Sequence, residues 1–375
     1  MNSPLPDPGL YIHYPWCVRK CPYCDFNSYP EGADLLRDQA YFARLRADLR
    51  SLEAYRQGRR FASVYFGGGT PSLCPPELAG ALLEELAPLL APGCEISLEA
   101  NPGTIDAPRL RAFRSAGITR LSLGIQSFED RSLRALGRIH RRLEALQACE
   151  AAAQFFDNFN CDLMHGLPGQ DPQSALADLK LAVECGASHI SWYELTLEEG
   201  TPFGRRPPQL PAEDELAAME EQGGAYLQEA GFLHYEVSAY ARGAEQRCRH
   251  NLNYWYFGDY AGIGAGAHSK FFRDGHTWRR ACPATPRDYL HTPLLPCHEV
   301  AAAELPFEFM LNRLRVYEDL RKSEFEERTG LGFERVQPQL LQAEELGLME
   351  DHGSFVRLTA RGRQMLNFIL RLFLD

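Results

Sequence analysis

The sequence predicts an α/β fold, a parallel sheet of six βα units with helices outside, followed by a smaller helical module. Three observations carry this. Short β-prone runs alternate with longer runs of helical periodicity through the first 230 residues. Polar and glycine-rich residues cluster where each predicted strand ends, the arrangement of a sheet that carries its site at the carboxyl ends of its strands. At 375 residues the chain also exceeds one ordinary core, so two or more domains are expected.

The predicted strands span 10–14, 61–66, 94–100, 119–125, 159–165 and 189–195. A helix is predicted between the first two, where Phe42, Leu45, Leu49 and Leu52 recur at helical spacing. Further helical patterns occupy 77–90, 106–115, 143–153, 173–184 and 213–230. Such alternation implies parallel pairing, either in an open sheet or in a partial barrel. No internal repeat of fixed period is present.

Residues 301–375 read as a separate module. Phe307, Phe309, Leu311 and Leu314 lie on a helix, followed by helical stretches at 323–329 and 333–346. A hairpin is predicted over 348–358, turning at His352-Gly353. This order resembles a winged helix, often a DNA-binding unit. Here 13 acidic residues outnumber 10 basic ones and no helix carries a basic face, so packing or covering is the expected role. The expected division is 1–230 for the βα core, 231–300 for a connecting segment and 301–375 for the winged-helix-like domain.

A hydrophobic content of 45% and a charged content of 24% are those of a globular protein in water. The net charge of −11 and the pI near 5.5 argue against non-specific nucleic-acid binding. The start, MNSPLPDPG, shows neither a basic nor an apolar region of a secretory signal. The apolar stretch 366–374 is interrupted by Arg371 and is too short to span a bilayer. Eleven cysteines without a regular framework suit a reducing compartment, so the chain is expected in the cytoplasm.

Residues 11–28 read YIHYPWCVRKCPYCDFNS, placing Cys17, Cys21 and Cys24 in a CxxxCxxC loop directly after the first strand. Three thiolates can hold three irons of a [4Fe–4S] cluster, and with no fourth cysteine in the loop one iron stays open to a small molecule. A structural zinc site from the three cysteines and His13 is the other reading, although zinc favours paired ligand knuckles and His13 lies on the strand. Trp16, Tyr23 and Phe26 suit a cluster, because apolar walls limit solvent access and tune its potential.

Gly67-Gly68-Gly69-Thr70-Pro71 follows the second strand and lets a ligand approach the backbone closely. Alone it reads equally as a tight turn, and without a following Gly-Lys-Ser/Thr it is no phosphate loop. Glu99 closes the third strand, Gln126 follows the fourth, and Asp162 lies in the fifth. The acidic side chains suit hydroxyl recognition, while the forked donors of Arg138 suit a carboxylate. Taken singly, each reads equally as a cap or a surface ion pair.

The cysteine loop resembles that of the radical S-adenosylmethionine (SAM) proteins. The strings LEANPG, LGIQSF, LGRIH and DLMHGLPGQ resemble one subfamily, the anaerobic coproporphyrinogen III dehydrogenases and the haem chaperones related to them. The resemblance runs from Tyr11 to the C-terminal helical region. It implies a partial (β/α)6 barrel with a C-terminal winged-helix-like domain, and a cluster on Cys17, Cys21 and Cys24 whose open iron chelates SAM. It further implies SAM contacts from Tyr11, Gly68, Gly69, Thr70, Glu99, Gln126, Arg138 and Asp162. In this family the reduced cluster cleaves the sulfonium to methionine and a 5′-deoxyadenosyl radical.

Two features separate the branches. The dehydrogenases carry another cysteine two positions beyond the third ligand, where this chain has Phe26. The stretch His250-Asn251-Leu252-Asn253-Tyr254-Trp255 matches the HNxxYW haem-binding motif of the chaperone branch. The resemblance therefore implies haem held by His250, Asn251, Tyr254 and Trp255 within the connecting segment. An imidazole can serve as an axial ligand and the aromatic rings offer faces to a macrocycle. On the residues alone, His250 reads more readily as a hydrogen-bonded core histidine. Gly262, Gly264 and Gly266 lack the strand and spacing of a dinucleotide fingerprint and are expected beside SAM or the sheet, with His268 near them.

The expected function is a haem chaperone that binds haem and a SAM-coordinated [4Fe–4S] cluster and delivers haem to haem-requiring apoproteins, membrane-bound ones among them. No nucleic acid is expected as partner, and the resemblance leaves room for a homodimer. Two other classes stay open on the sequence. One is an oxygen-independent coproporphyrinogen III oxidase, which decarboxylates propionates after hydrogen abstraction. The other is a winged-helix regulator that uses the cluster as a sensor.

Overall fold

The computed structural model describes residues 6–31, 34–293 and 296–374, the side chains of residues 54 and 55 excepted. Residues 1–5, part of the stretch read for a secretory signal, lie outside it.

Six strands form the centre: β1 Gly9–Tyr14, β2 Phe61–Gly68, β3 Leu90–Ala100, β4 Arg120–Gln126, β5 Phe159–His165 and β6 His189–Glu194. Each lies parallel to the next, in chain order. Crossovers between parallel strands are right-handed, so successive steps in one direction put every helix on one face of the sheet. A doubly wound sheet, by contrast, reverses its strand order. Among the described residues the two end strands of the sheet do not pair, so it stays open.

The two faces of each strand differ because successive side chains point opposite ways. Leu10, Ile12, Val64, Phe66, Leu98, Leu121, Leu123, Ile125, Cys161, Leu163 and Ile190 are all at most 1% exposed. They pack with Phe42, Leu45, Leu82, Phe113, Ala145 and Leu179 of the flanking helices in one continuous core. Full burial of a side chain of this size contributes about 1.5–3 kcal/mol. The alternate residues, Tyr11, His13, Tyr65, Glu99, Ser122, Gln126, Asp162 and Tyr193, face the other side and form the site described below.

Among the helical patterns of the first 230 residues, one differs from expectation. The pattern over 77–90 yields a helix only over Pro76–Leu86, then a 3-10 turn at Ala87–Leu89, and β3 begins at Leu90. Pro88 lacks an amide hydrogen and restricts the residue before it, which stops the α-helix there.

The 231–300 segment is built into the same twelve-stranded sheet at both ends. Leu233–Glu236 and Ala239–Ala241 extend it antiparallel beyond β6. Tyr260–Ile263 pairs parallel with the free side of β1, followed by antiparallel His268–Arg273, His276–Ala281 and His298–Glu299. Between these groups the short helix Arg249–Trp255 packs against β1 and β2 on the face away from the other helices.

The C-terminal unit has its own core of Phe309, Phe325, Leu340, Val356 and Ile369. The predicted hairpin is present as antiparallel Met349–Asp351 and Phe355–Leu358, with Leu320–Arg321 as a third strand. A buried Arg313–Glu324 ion pair at 2.8 Å ties two of its helices. Phe257, just past the helix Arg249–Trp255, joins this core and meets Phe309 edge-on at 5.6 Å. No helix among the described residues is long and apolar enough to cross a membrane.

Candidate functional site

The cysteine loop is braced from several sides. Trp16–Cys17 pairs parallel with Tyr29–Pro30, and the Cys24 amide donates to the Cys21 carbonyl at 3.1 Å. Asn27 Nδ2 donates to the carbonyls of Ala265 and Ala284, which fastens the loop to the far edge of the sheet. The glycine run holds the loop from below: the Gly69 and Thr70 amides donate to the Tyr14 and Trp16 carbonyls, both at 2.8 Å. A Cβ on Gly69 would stand 2.5 Å from the Trp16 carbonyl oxygen, so only glycine permits this approach.

Cys17 and Cys21 are buried and Cys24 is half-buried, and all three line one cavity of about 430 Å3. Burial pushes the Cys17 and Cys24 thiols above their ordinary range. The zinc reading loses its fourth ligand. His13 Nδ1 is bonded to the Tyr11 hydroxyl at 3.0 Å and Nε2 to the Asn27 carbonyl at 2.8 Å. Among the described residues no three His, Cys, Asp or Glu side chains converge as they would on a single ion. A cluster asks less, because each thiolate takes its own iron.

The cavity continues along the inner face of the sheet, and of the eight residues expected to contact SAM seven line it, Gly68, Gly69, Thr70, Glu99, Gln126 and Asp162 together with Arg138. The Arg138 guanidinium is fixed. It donates to the Gly124 carbonyl at 2.7 Å and to Asn101 Oδ1, and reaches Cys21 Sγ at 3.8 Å. Glu99 accepts from the Gly68 amide at 3.1 Å and from the Tyr65 hydroxyl at 3.0 Å. Burial, helped by Asp162, pushes its carboxyl up to about 7. Asp162, also raised by burial, accepts from Ser122 at 3.0 Å and Asn160 at 2.7 Å. Glu99, poised to give or take a proton, and the buried Asp162 carboxyl are suited to hydrogen bonds with ribose hydroxyls.

Gln126 carries a signal the sequence does not show. Its φ is +67°, in the left-handed region that non-glycine residues seldom adopt. The pairing of β4 with β5 shifts register just before it, and its side chain accepts from the Tyr193 hydroxyl at 3.0 Å. Strained backbone held by its surroundings is a mark of functional sites. Sequence reasoning also missed Asn101, which donates to Thr70 at 2.9 Å and accepts from Arg138, and the wall residues Tyr65 and Tyr193. Their place on the inner face, alternate to the apolar residues of their strands, is the signal that marks the two tyrosines.

The eighth residue, Tyr11, lines a neighbouring cavity of about 370 Å3, which shares Phe26, Gly68 and Glu99 with the first. The HNLNYW residues are split. Asn251 and Trp255 line the larger cavity and Tyr254 the smaller one. His250 lines neither, and is 1% exposed. Its Nδ1 is bonded to Ser63 and its Nε2 to the Tyr254 hydroxyl, both at 3.0 Å. Burial pushes the imidazole down to about 3, so it is neutral, but neither nitrogen is free for a haem iron. The expectation of His250 as axial ligand does not fit this placement, whereas that of a hydrogen-bonded core histidine does. A larger hollow of about 650 Å3 beside Asp106 and Glu144 lies apart from every thiol and from the inner face.

Comparison with known proteins finds relatives along the whole chain. Residues 11–182 match the radical SAM superfamily and residues 300–365 the HemN C-terminal domain. The chain is 44% identical over 375 residues to the haem chaperone HemW of Escherichia coli (strain K12), an alignment covering 99% of both chains. It is 45% identical over 379 residues to the haem chaperone HemW of Haemophilus influenzae, covering 99% of this chain and 98% of that one. Among solved structures, the coproporphyrinogen III oxidase HemN of Escherichia coli, a radical SAM enzyme, superposes with a TM-score of 0.81 at 21% identity. That superposition covers 99% of this chain and 91% of HemN, and establishes a common fold.

Proposed function

We infer the function of this chain from its family: it belongs to the HemW haem chaperones, within the radical SAM superfamily. It binds haem, carries a SAM-coordinated [4Fe–4S] cluster, and hands haem to apoproteins that require it. The observation that carries this is similarity along the whole length of both chains, not any one motif.

The residues present suit the cofactors. Cys17, Cys21 and Cys24 would hold the cluster, which when bound supplies an electron to the sulfonium of SAM. The Cys17 and Cys24 thiols, raised by burial, would give up their protons to bind iron. Arg138, fixed beside Cys21, would pair with the carboxylate of SAM. Glu99 and Asp162 would take the ribose hydroxyls, with Gln126 held between them by Tyr193. Tyr23 and Trp255 give the cavity apolar walls that restrict water.

Tyr11, Phe26, Tyr254 and Tyr260 gather flat aromatic surface around the second cavity, where a macrocycle can lie. The chain works in the cytoplasm, a compartment that suits eleven cysteines without a disulfide among the described residues.

The test is an anaerobic titration of the cluster-reconstituted chain with haem, followed by its Soret band. Saturation at a fixed haem-to-chain ratio is expected. Unsaturable uptake, equalled by an unrelated protein with apolar surface, would contradict the function.

A further inference from the structure

We propose that haem is held in the smaller cavity with the imidazole of His268 as its axial ligand, and that His250 is a strut behind the SAM wall. The proposal rests on the haem-chaperone function above and departs from it in which histidine meets the iron.

The argument is one of access. Of the chain's 11 histidines, only His13 and His268 line either cavity. His13 has both ring nitrogens engaged, by Tyr11 and by the Asn27 carbonyl. His250 has both engaged and is sealed from solvent. His268, at the start of the strand His268–Arg273, is exposed, and no described residue bonds its ring.

The surroundings suit a flat, apolar, dianionic cargo. Tyr11, Tyr254 and Tyr260 form the cavity wall, and Phe26, 57% exposed, stands at its mouth. Lys20 lines the larger cavity and donates to the carbonyl of Phe26, which both cavities share, at 2.8 Å, so its ammonium stands where the two meet and is available to a propionate. A macrocycle seated there keeps an edge in solvent, as a cargo handed to another protein requires. The two cavities share Phe26, Gly68 and Glu99, so the haem edge would border the SAM site.

The test uses the full, cluster-reconstituted chain and ferric haem, read by optical and electron paramagnetic resonance spectra. Wild type and His250→Gln are expected to give the same imidazole-ligated spectrum. His268→Ala is expected to lose it and to bind haem about 10–100-fold more weakly. Added imidazole should restore the spectrum in His268→Ala by filling the vacated position. Circular dichroism of both variants establishes that they are folded. A His268→Ala protein with the wild-type spectrum and affinity overturns the proposal, as does loss of the spectrum in folded His250→Gln. Failure of the wild type itself to bind haem saturably overturns the chaperone function together with it.

Discussion

The imidazole of His250 lies stacked on the ring of Tyr65, with centroids 5.0 Å apart and planes 19° apart. The Tyr65 hydroxyl in turn donates to Glu99 at 3.0 Å. A motif distant in sequence thus forms the back wall of the cofactor cavity. Ser63 on β2 and Tyr254 on the helix Arg249–Trp255 fix the imidazole from either side, and Tyr11 stacks at 6.2 Å.

Removing that ring should cost stability. His250→Ala takes away a buried ring and leaves the hydroxyls of Ser63 and Tyr254 without their partner. A loss of about 2–4 kcal/mol is expected. His298→Ala, at an exposed position, should stay within about 0.5 kcal/mol of wild type. Denaturant unfolding of the two variants measures the difference, and equal midpoints would refute the strut.

Glu99 should make the fold pH-dependent with an unusual sign. Its carboxyl is pushed from an ordinary 4.5 up to about 7, so the folded state binds more protons than the unfolded state between those values. The stabilisation is complete below pH 4.5 and is lost as pH rises through 7. Glu99→Gln, uncharged throughout, should therefore be the more stable protein at pH 8, by up to about 3 kcal/mol. The advantage should vanish toward pH 4.5, while SAM binding by the same variant weakens. Thermal melts across that range and a SAM titration check the two halves separately.

The three loop cysteines should be individually essential for iron. After anaerobic reconstitution, alanine at Cys17, Cys21 or Cys24 should abolish the cluster's visible absorption and most bound iron. Cys297→Ser, half-buried and outside both cavities, should keep both. Full iron retention in any of the first three would refute the assignment.

Gly69 should act at one remove from the thiols. The Cβ of Gly69→Ala would press on the Trp16 carbonyl, backbone that cannot rotate away. A cost of about 1–3 kcal/mol is expected, together with poor iron incorporation, both measurable on the purified variant.

Much of this was legible in the sequence, for identifiable reasons. The inner strands of a parallel sheet are short apolar runs, and β1 to β6 stand within a few residues of expectation. The cysteine loop and the residues at the strand ends stand out in the sequence as candidates because metal and hydroxyl chemistry restricts residue type. Tyr65, Tyr193 and Asn101 were not, since a tyrosine inside a strand looks the same whether it faces the core or a cavity. The 231–300 segment reads as a connection because its strands are short and pair with distant partners, β1 and β6, that no local pattern announces. His250 shows the limit most sharply: its sequence context suggests a ligand, while its hydrogen bonds are those of a core residue.

Haem delivery tests the central claim most directly. The haem-loaded, cluster-reconstituted chain is mixed with an excess of an apo-haemoprotein, and holoprotein formation is followed against an equal concentration of free haem with a haem scavenger present. The account predicts transfer that outpaces the free-haem control and resists the scavenger. Transfer no faster than from free haem, and abolished by the scavenger, would contradict it.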